Sequence, residues 1–88
     1  MSSLIKVVVK LYGVLRKHRP EEAPGDRHQP FEIKLNEGAR ITELVILLGI
    51  ETGMVAGTAV NGQAISSDVR LNDADEVSLF PPSAGGLI

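Results

Sequence analysis

The residues whose types and spacing invite chemistry are the last eight, Pro81-Pro82-Ser83-Ala84-Gly85-Gly86-Leu87-Ile88. A paired glycine behind a proline pair makes a slim stem. Glycine has no Cβ, so its backbone can pass close to a nucleotide phosphate or a metal-bound water where any larger residue would collide. The pair is followed by Leu87 and Ile88, so the carbonyl of Gly86 is part of a peptide bond and not a free carboxylate.

The elements that must present this stem follow from periodicity. Ile5, Val7, Val9 and Leu11 alternate with Lys6, Val8, Lys10 and Tyr12, the period of a strand with one face on a core. Phe31, Ile33 and Leu35 alternate in the same way with Glu32, Lys34 and Asn36, which predicts a second strand. Between them, Gly13 to Pro30 carries Pro20, Pro24, Gly25 and Pro30 among charged residues and is expected to be a surface loop with no element of its own.

Ile41, Leu44, Val45 and Leu48 fall on one helical face, with Gly49 placed for a left-handed C-terminal cap, so a helix is expected over about 41–49. Arg40 stands where a capping box wants Ser or Thr, and a frayed first turn follows from that. The run Leu44-Val45-Ile46-Leu47-Leu48 is apolar almost all round, which leaves Ile46 or Leu47 for the surface or the long loop. Thr58-Ala59-Val60 and Gln63-Ala64-Ile65 flank Asn61-Gly62, a two-residue hairpin signal. Glu76-Val77-Ser78-Leu79-Phe80 is a final strand ended by Pro81 and Pro82, which have no donor for a ladder. A crossover through the helix would set that last strand parallel to the first. The expected fold is α+β, a mixed sheet of four to five strands with one helix across it, formed by residues 1–80, with 81–88 as a flexible tail.

Composition narrows the chemistry. With 88 residues, 43% of them hydrophobic, the chain fits one domain with its own core. It has no cysteine, which excludes a disulfide, a thiolate metal site and a cysteine nucleophile. His18 and His28 lie in the polar loop without ligand spacing, and no metal site is expected. Asp73, Asp75 and Glu76 suggest a cation site, but turn chemistry accounts for them better. No apolar run approaches the length of a membrane span and the start lacks a signal pattern, so a cytoplasmic protein with no membrane contact is expected. Residues 1–40 carry a net charge of +3 and residues 41–88 one of −5. An acidic second half argues against nucleic acid and favours a partner with a basic surface near the tail. Phe80 shares its parity with Ser78 and Glu76 and is expected on the outward face, beside the tail, as a contact residue.

The quoted blocks together resemble a known family. Val60-Asn61-Gly62, Leu71-Asn72-Asp73-Ala74-Asp75-Glu76-Val77 and Leu79-Phe80-Pro81-Pro82-Ser83-Ala84-Gly85-Gly86 look like the ubiquitin-like sulfur carriers (MoaD/ThiS-like), above all the small subunit of molybdopterin synthase. Leu11-Tyr12-Gly13 and Gly49-Ile50 fit as well, while the loop from Gly13 to Pro30 is longer than usual for such carriers. The resemblance implies the β-grasp (ubiquitin-like) fold. It implies that the carboxylate of Gly86 is adenylated by a ubiquitin-activating-type adenylyltransferase using ATP and Mg²⁺. A sulfur donor then converts it to a thiocarboxylate. The carrier supplies only the reacting carboxyl group, and its partners are the adenylyltransferase and the large subunit of molybdopterin synthase. It implies further that Gly85 and Ala84 form the stem, Pro81 and Pro82 stiffen its exit, and Phe80 docks the partner. Some bacterial carriers of this kind extend beyond their glycines and are trimmed by a zinc-dependent metalloprotease, so removal of Leu87-Ile88 is the expected first step. Two alternatives stand beside this: a carrier for thiamine- or cysteine-type sulfur transfer, and a ubiquitin-like binding module whose tail no longer reacts.

Overall fold

Alternating apolar residues bury one side of each strand, and a helix closes over that side. In the computed structural model, which describes residues 3–82, the strands are β1 (Leu4–Leu11), β2 (Phe31–Asn36), β3 (Gly57–Val60), β4 (Gln63–Ile65) and β5 (Glu76–Phe80), and the helix α1 is Ile41–Leu47. The sheet order is β2-β1-β5-β3-β4. β1 pairs antiparallel with β2 and parallel with β5, with Val9 opposite Val77 and Leu11 opposite Leu79. β3 runs antiparallel to both β5 and β4. This is the expected β-grasp arrangement of the α+β class, with five strands. Val7, Val9, Leu11, Val77 and Leu79 meet Leu44, Val45, Ile50 and Leu71 in one core. Among the described residues no helix is long and apolar enough to cross a membrane.

The hairpin forms as its sequence predicts. Asn61 (φ 53°) and Gly62 (φ 81°) both take the left-handed conformation that a tight primed turn needs. Asn61 also reaches out of the turn. Its Nδ2 donates to Asp75 Oδ1 at 2.9 Å and its Oδ1 accepts from the Glu76 N–H at 2.9 Å, while the Asn72 N–H donates to Asp75 Oδ2 at 2.8 Å. The Lys6 N–H is taken by Asp73 Oδ1 at 2.8 Å. The acidic cluster therefore holds the hairpin and β1 to the start of β5, and three of its carboxylate oxygens already have donors.

Two expectations about local structure are corrected. The segment after β1 is not all loop, because Gly13–His18 forms a 3₁₀ helix. Leu15 is the cause: it is fully buried in the core, and a single apolar anchor suffices to wind a short turn around it. The first turn of α1 is not left to fray. Arginine cannot accept a hydrogen bond, so only half of a capping box exists, the Arg40 N–H donating to Glu43 Oε1 at 3.1 Å. The missing acceptor comes from far along the chain, as the Thr42 N–H donates to Asp68 Oδ1 at 3.0 Å. Of the two places expected for Ile46 or Leu47, the surface is the one observed, and both take it, at 64% and 58% exposed. The other end of α1 conforms to expectation. Gly49 (φ 76°) lets its N–H reach the Ile46 carbonyl, and Ile50 N–H reaches that of Val45, with Ile50 buried beyond.

Leu15→Ala should therefore cost about 2–5 kcal/mol, read as a lower urea midpoint, while Val14→Ala next to it should cost little. The Thr42 backbone N–H, and next its hydroxyl, hold the Asp68 carboxyl below the ordinary value of 3.8. A carboxylate depressed by folding adds stability that is present above its unfolded pKa and is lost as pH falls through the lower, folded one. Asp68→Asn should remove that part of the acid sensitivity, measured as melting temperature against pH below about pH 4.

Candidate functional site

β5 carries its own chemistry outward by parity. Val77 and Leu79 point into the core, so Glu76, Ser78 and Phe80 lie on the opposite, uncovered face of the sheet. Phe80 is the last strand residue and is 37% exposed, as its parity predicts. It does not stand alone. Parallel pairing continues past Leu11, with the Tyr12 N–H donating to the Leu79 carbonyl at 3.2 Å, and this sets the Tyr12 ring on that of Phe80. The ring centroids are 4.5 Å apart and the planes 21° from parallel. Lys10 places its Nζ 5.2 Å from the Tyr12 centroid, within the range of a cation–π contact. On the other side Gly57 is paired with Phe80, and a Cβ there would touch the ring at 3.7 Å. The result is a half-exposed aromatic pair, bordered by a cation and a glycine, at the point where the chain leaves the sheet.

Pro81 and Pro82 come next. Pro81 is half-buried because the chain at Gly13 makes room for it: Gly13 has φ 57°, and a Cβ on it would lie 2.9 Å from Pro81 Cγ. Glycine is thus required twice at this position, for its backbone angle and for the proline seated on it. Pro82 is exposed. Ala84, Gly85 and Gly86, with Ser83, Leu87 and Ile88, lie outside the described residues.

Of the expected site residues, Phe80, Pro81 and Pro82 are therefore brought together at one end of β5. Tyr12, Lys10 and Gly57 join them without having been singled out. Tyr12 had a signal in its parity on β1, but its partner could be known only once β1 and β5 were paired. Part of the acidic half lies away from the point where the chain leaves the sheet. Asp73, Asp75 and Glu76 sit at the start of β5, roughly 13 Å from Phe80 along the strand. What flanks Pro81 is Gly13, the first residue of the 3₁₀ helix that carries Arg16, Lys17 and His18.

A model described as the ThiS family matches residues 9–86, nearly the whole chain and including the glycine pair. The chain belongs to the ThiS family. Its fold and its C-terminal block are thus those of a ubiquitin-like sulfur carrier family. This ThiS-family chain is 45% identical over 60 residues to a UPF0125 protein of Xylella fastidiosa strain Temecula1, covering 65% of this chain and 72% of that protein. The UPF0125 protein of Xylella fastidiosa strain 9a5c is 43% identical over 60 residues, with the same coverage. Among solved structures, the putative molybdopterin converting factor, subunit 1, of Pyrococcus furiosus is similar with a TM-score of 0.62 and 29% identity, over 89% of this chain and 98% of that one.

Gly13→Ala should displace Pro81 and cost about 1–2 kcal/mol from the left-handed backbone alone. The displacement is read as chemical-shift changes at Pro81 and Phe80 by NMR, with the rest of the sheet unchanged.

Proposed function

We propose that this chain is a sulfur carrier that reacts through the carboxylate of Gly86 and serves molybdopterin (molybdenum or tungsten cofactor) biosynthesis in the cytoplasm. The observation that carries the reading is the family match running to residue 86, on a chain whose last strand ends at Pro81-Pro82 beside an exposed aromatic pair. Hydrolysis of the Gly86–Leu87 bond by a metalloprotease frees the carboxylate. An oxygen of that carboxylate attacks the α-phosphorus of ATP in an adenylyltransferase holding Mg²⁺, and pyrophosphate leaves. Hydrosulfide released by a sulfur donor then attacks the glycyl carbonyl, AMP departs, the S–H proton is lost to solvent, and the thiocarboxylate remains. AMP is a good leaving group where carboxylate oxygen is not, so activation is needed before sulfur can enter. The partner enzymes supply orientation and charge stabilisation. The carrier supplies a carboxyl on a stem of Ala84 and Gly85, and Phe80 with Tyr12 as the contact that sets it down. The similarity to a putative molybdopterin converting factor subunit favours the pterin branch over thiamine- or cysteine-type transfer, with the large subunit of molybdopterin synthase as acceptor.

The chain isolated from its own cells should include a species without Leu87-Ile88 in which one oxygen is exchanged for sulfur, seen by intact mass. Exclusive recovery of the full-length chain would instead favour the non-reactive binding module. A chain ending at Gly86 should form an acyl-adenylate with ATP, Mg²⁺ and a ubiquitin-activating-type enzyme. Phe80→Ala should raise KM for that step roughly tenfold while leaving kcat in place, as loss of a contact residue does.

A further inference from the structure

The long segment between β1 and β2 has a use that neither the fold nor the tail explains. It is held in shape by Arg19, whose guanidinium donates to the carbonyls of Ala23 (3.1 Å), Gly25 (3.4 Å) and Pro24, and through Nε to Gln29 (3.1 Å). The same group lies 5.6 Å above the Phe31 ring. Arg19 thus spends its charge inside the loop. The other cations do not. Arg16, Lys17 and Arg27 are exposed, and among the described residues the one ion pair is Lys6–Glu32, elsewhere on the sheet.

Arg16, Lys17, Arg27 and His28 line an open cleft of about 540 Å³ together with Gly13 and Val14. No acid lines it, although Arg16, Lys17 and Arg27 also face the neighbouring depression that Glu21 borders; Glu22 lines the groove against β2. Val14, 57% exposed, puts an apolar contact among the cations, which suits a protein surface better than an inorganic ion. Gly13 is also the residue on which Pro81 is seated, so the cleft begins where the chain leaves the sheet. The five residue steps from Pro81 to Gly86 span at most about 17 Å. Any enzyme that holds Gly86 in its cleft must therefore bring the mouth of that cleft against the body of the carrier around Pro81.

We infer that the cleft of Arg16, Lys17, Arg27 and His28 is a second docking surface, which seats against acidic side chains at the mouth of the partner cleft that receives the tail. The inference rests on the carrier reading above and adds the partner's chemistry to it. Unpaired surface cations steer association and are screened by salt, so their contribution is to the encounter and not to the chemical step.

The test uses the Gly86-ended chain, ATP, Mg²⁺ and an activating enzyme that adenylates it, with the triple variant Arg16→Glu, Lys17→Glu, Arg27→Glu beside it. All three residues are exposed, and equal melting curves establish that the fold is intact. The variant should lose roughly tenfold or more in kcat/KM at low salt through KM, with kcat unchanged and the difference closing at high salt. Equal kcat/KM and equal salt dependence would overturn the inference while leaving the carrier reading standing. Inorganic triphosphate binding saturably to the cleft, together with adenylation indifferent to the charge reversal, would assign the cleft to a phosphate ligand and also overturn it. Absence of an adenylate from every chain with every activating enzyme would remove the carrier reading and this inference together.

Discussion

β1 and β5 are far apart in sequence yet lie side by side and parallel at the centre of the sheet. A parallel pair cannot be closed by a tight turn, so the chain between them has to cross over and return. That crossover is where α1, the hairpin and the acidic turn are accommodated. β2 and β3 then occupy the flanks of the central pair, each antiparallel to its neighbour. Because both central strands point the same way, their C-terminal ends share one pole of the molecule, and the chain leaving β5 does so beside the chain leaving β1.

That shared pole organises the site. Tyr12 directly follows β1 and Phe80 ends β5, and alone each would be an ordinary surface aromatic. Parallel register makes them a stacked pair. Gly13 follows Tyr12 directly and Pro81 follows Phe80, so the same register seats the proline on the glycine. The polarity of charge follows too. The acidic turn is tied by Asn61, Asn72 and Lys6 to the beginning of β5, while the basic 3₁₀ helix winds from the end of β1. The acidic turn and the basic 3₁₀ helix, set apart along the sequence, thus come to lie at opposite ends of the central strand pair.

Much of the fold was legible because it rests on local rules. Strand alternation in Ile5–Leu11, Phe31–Leu35 and Glu76–Phe80, the Asn61-Gly62 turn and the Gly49 cap each depend on neighbours a few residues away. What escaped the sequence depends on partners that are remote or on a single residue. One buried leucine, Leu15, converts an expected loop into a 3₁₀ helix, and no period announces a lone anchor. Asp68 caps a helix whose start looked uncapped, from a position separated from it by the whole hairpin. Arg19 orders the long loop through carbonyl acceptors, and backbone carbonyls leave no trace in residue type.

The amino-acid sequence by itself determined the elements, the outward parity of Phe80 and the glycine stem behind two prolines, since each follows from side-chain period or from the stereochemistry of glycine and proline. Only the tertiary structure decided that Tyr12 stacks on Phe80 and that Pro81 is seated on Gly13, the residue from which the basic 3₁₀ helix winds. Sequence records the order of charges and rings along the chain, whereas the parallel pairing of two distant strands sets which of them meet. That pairing is selected by burial of the whole core at once and not by any segment alone.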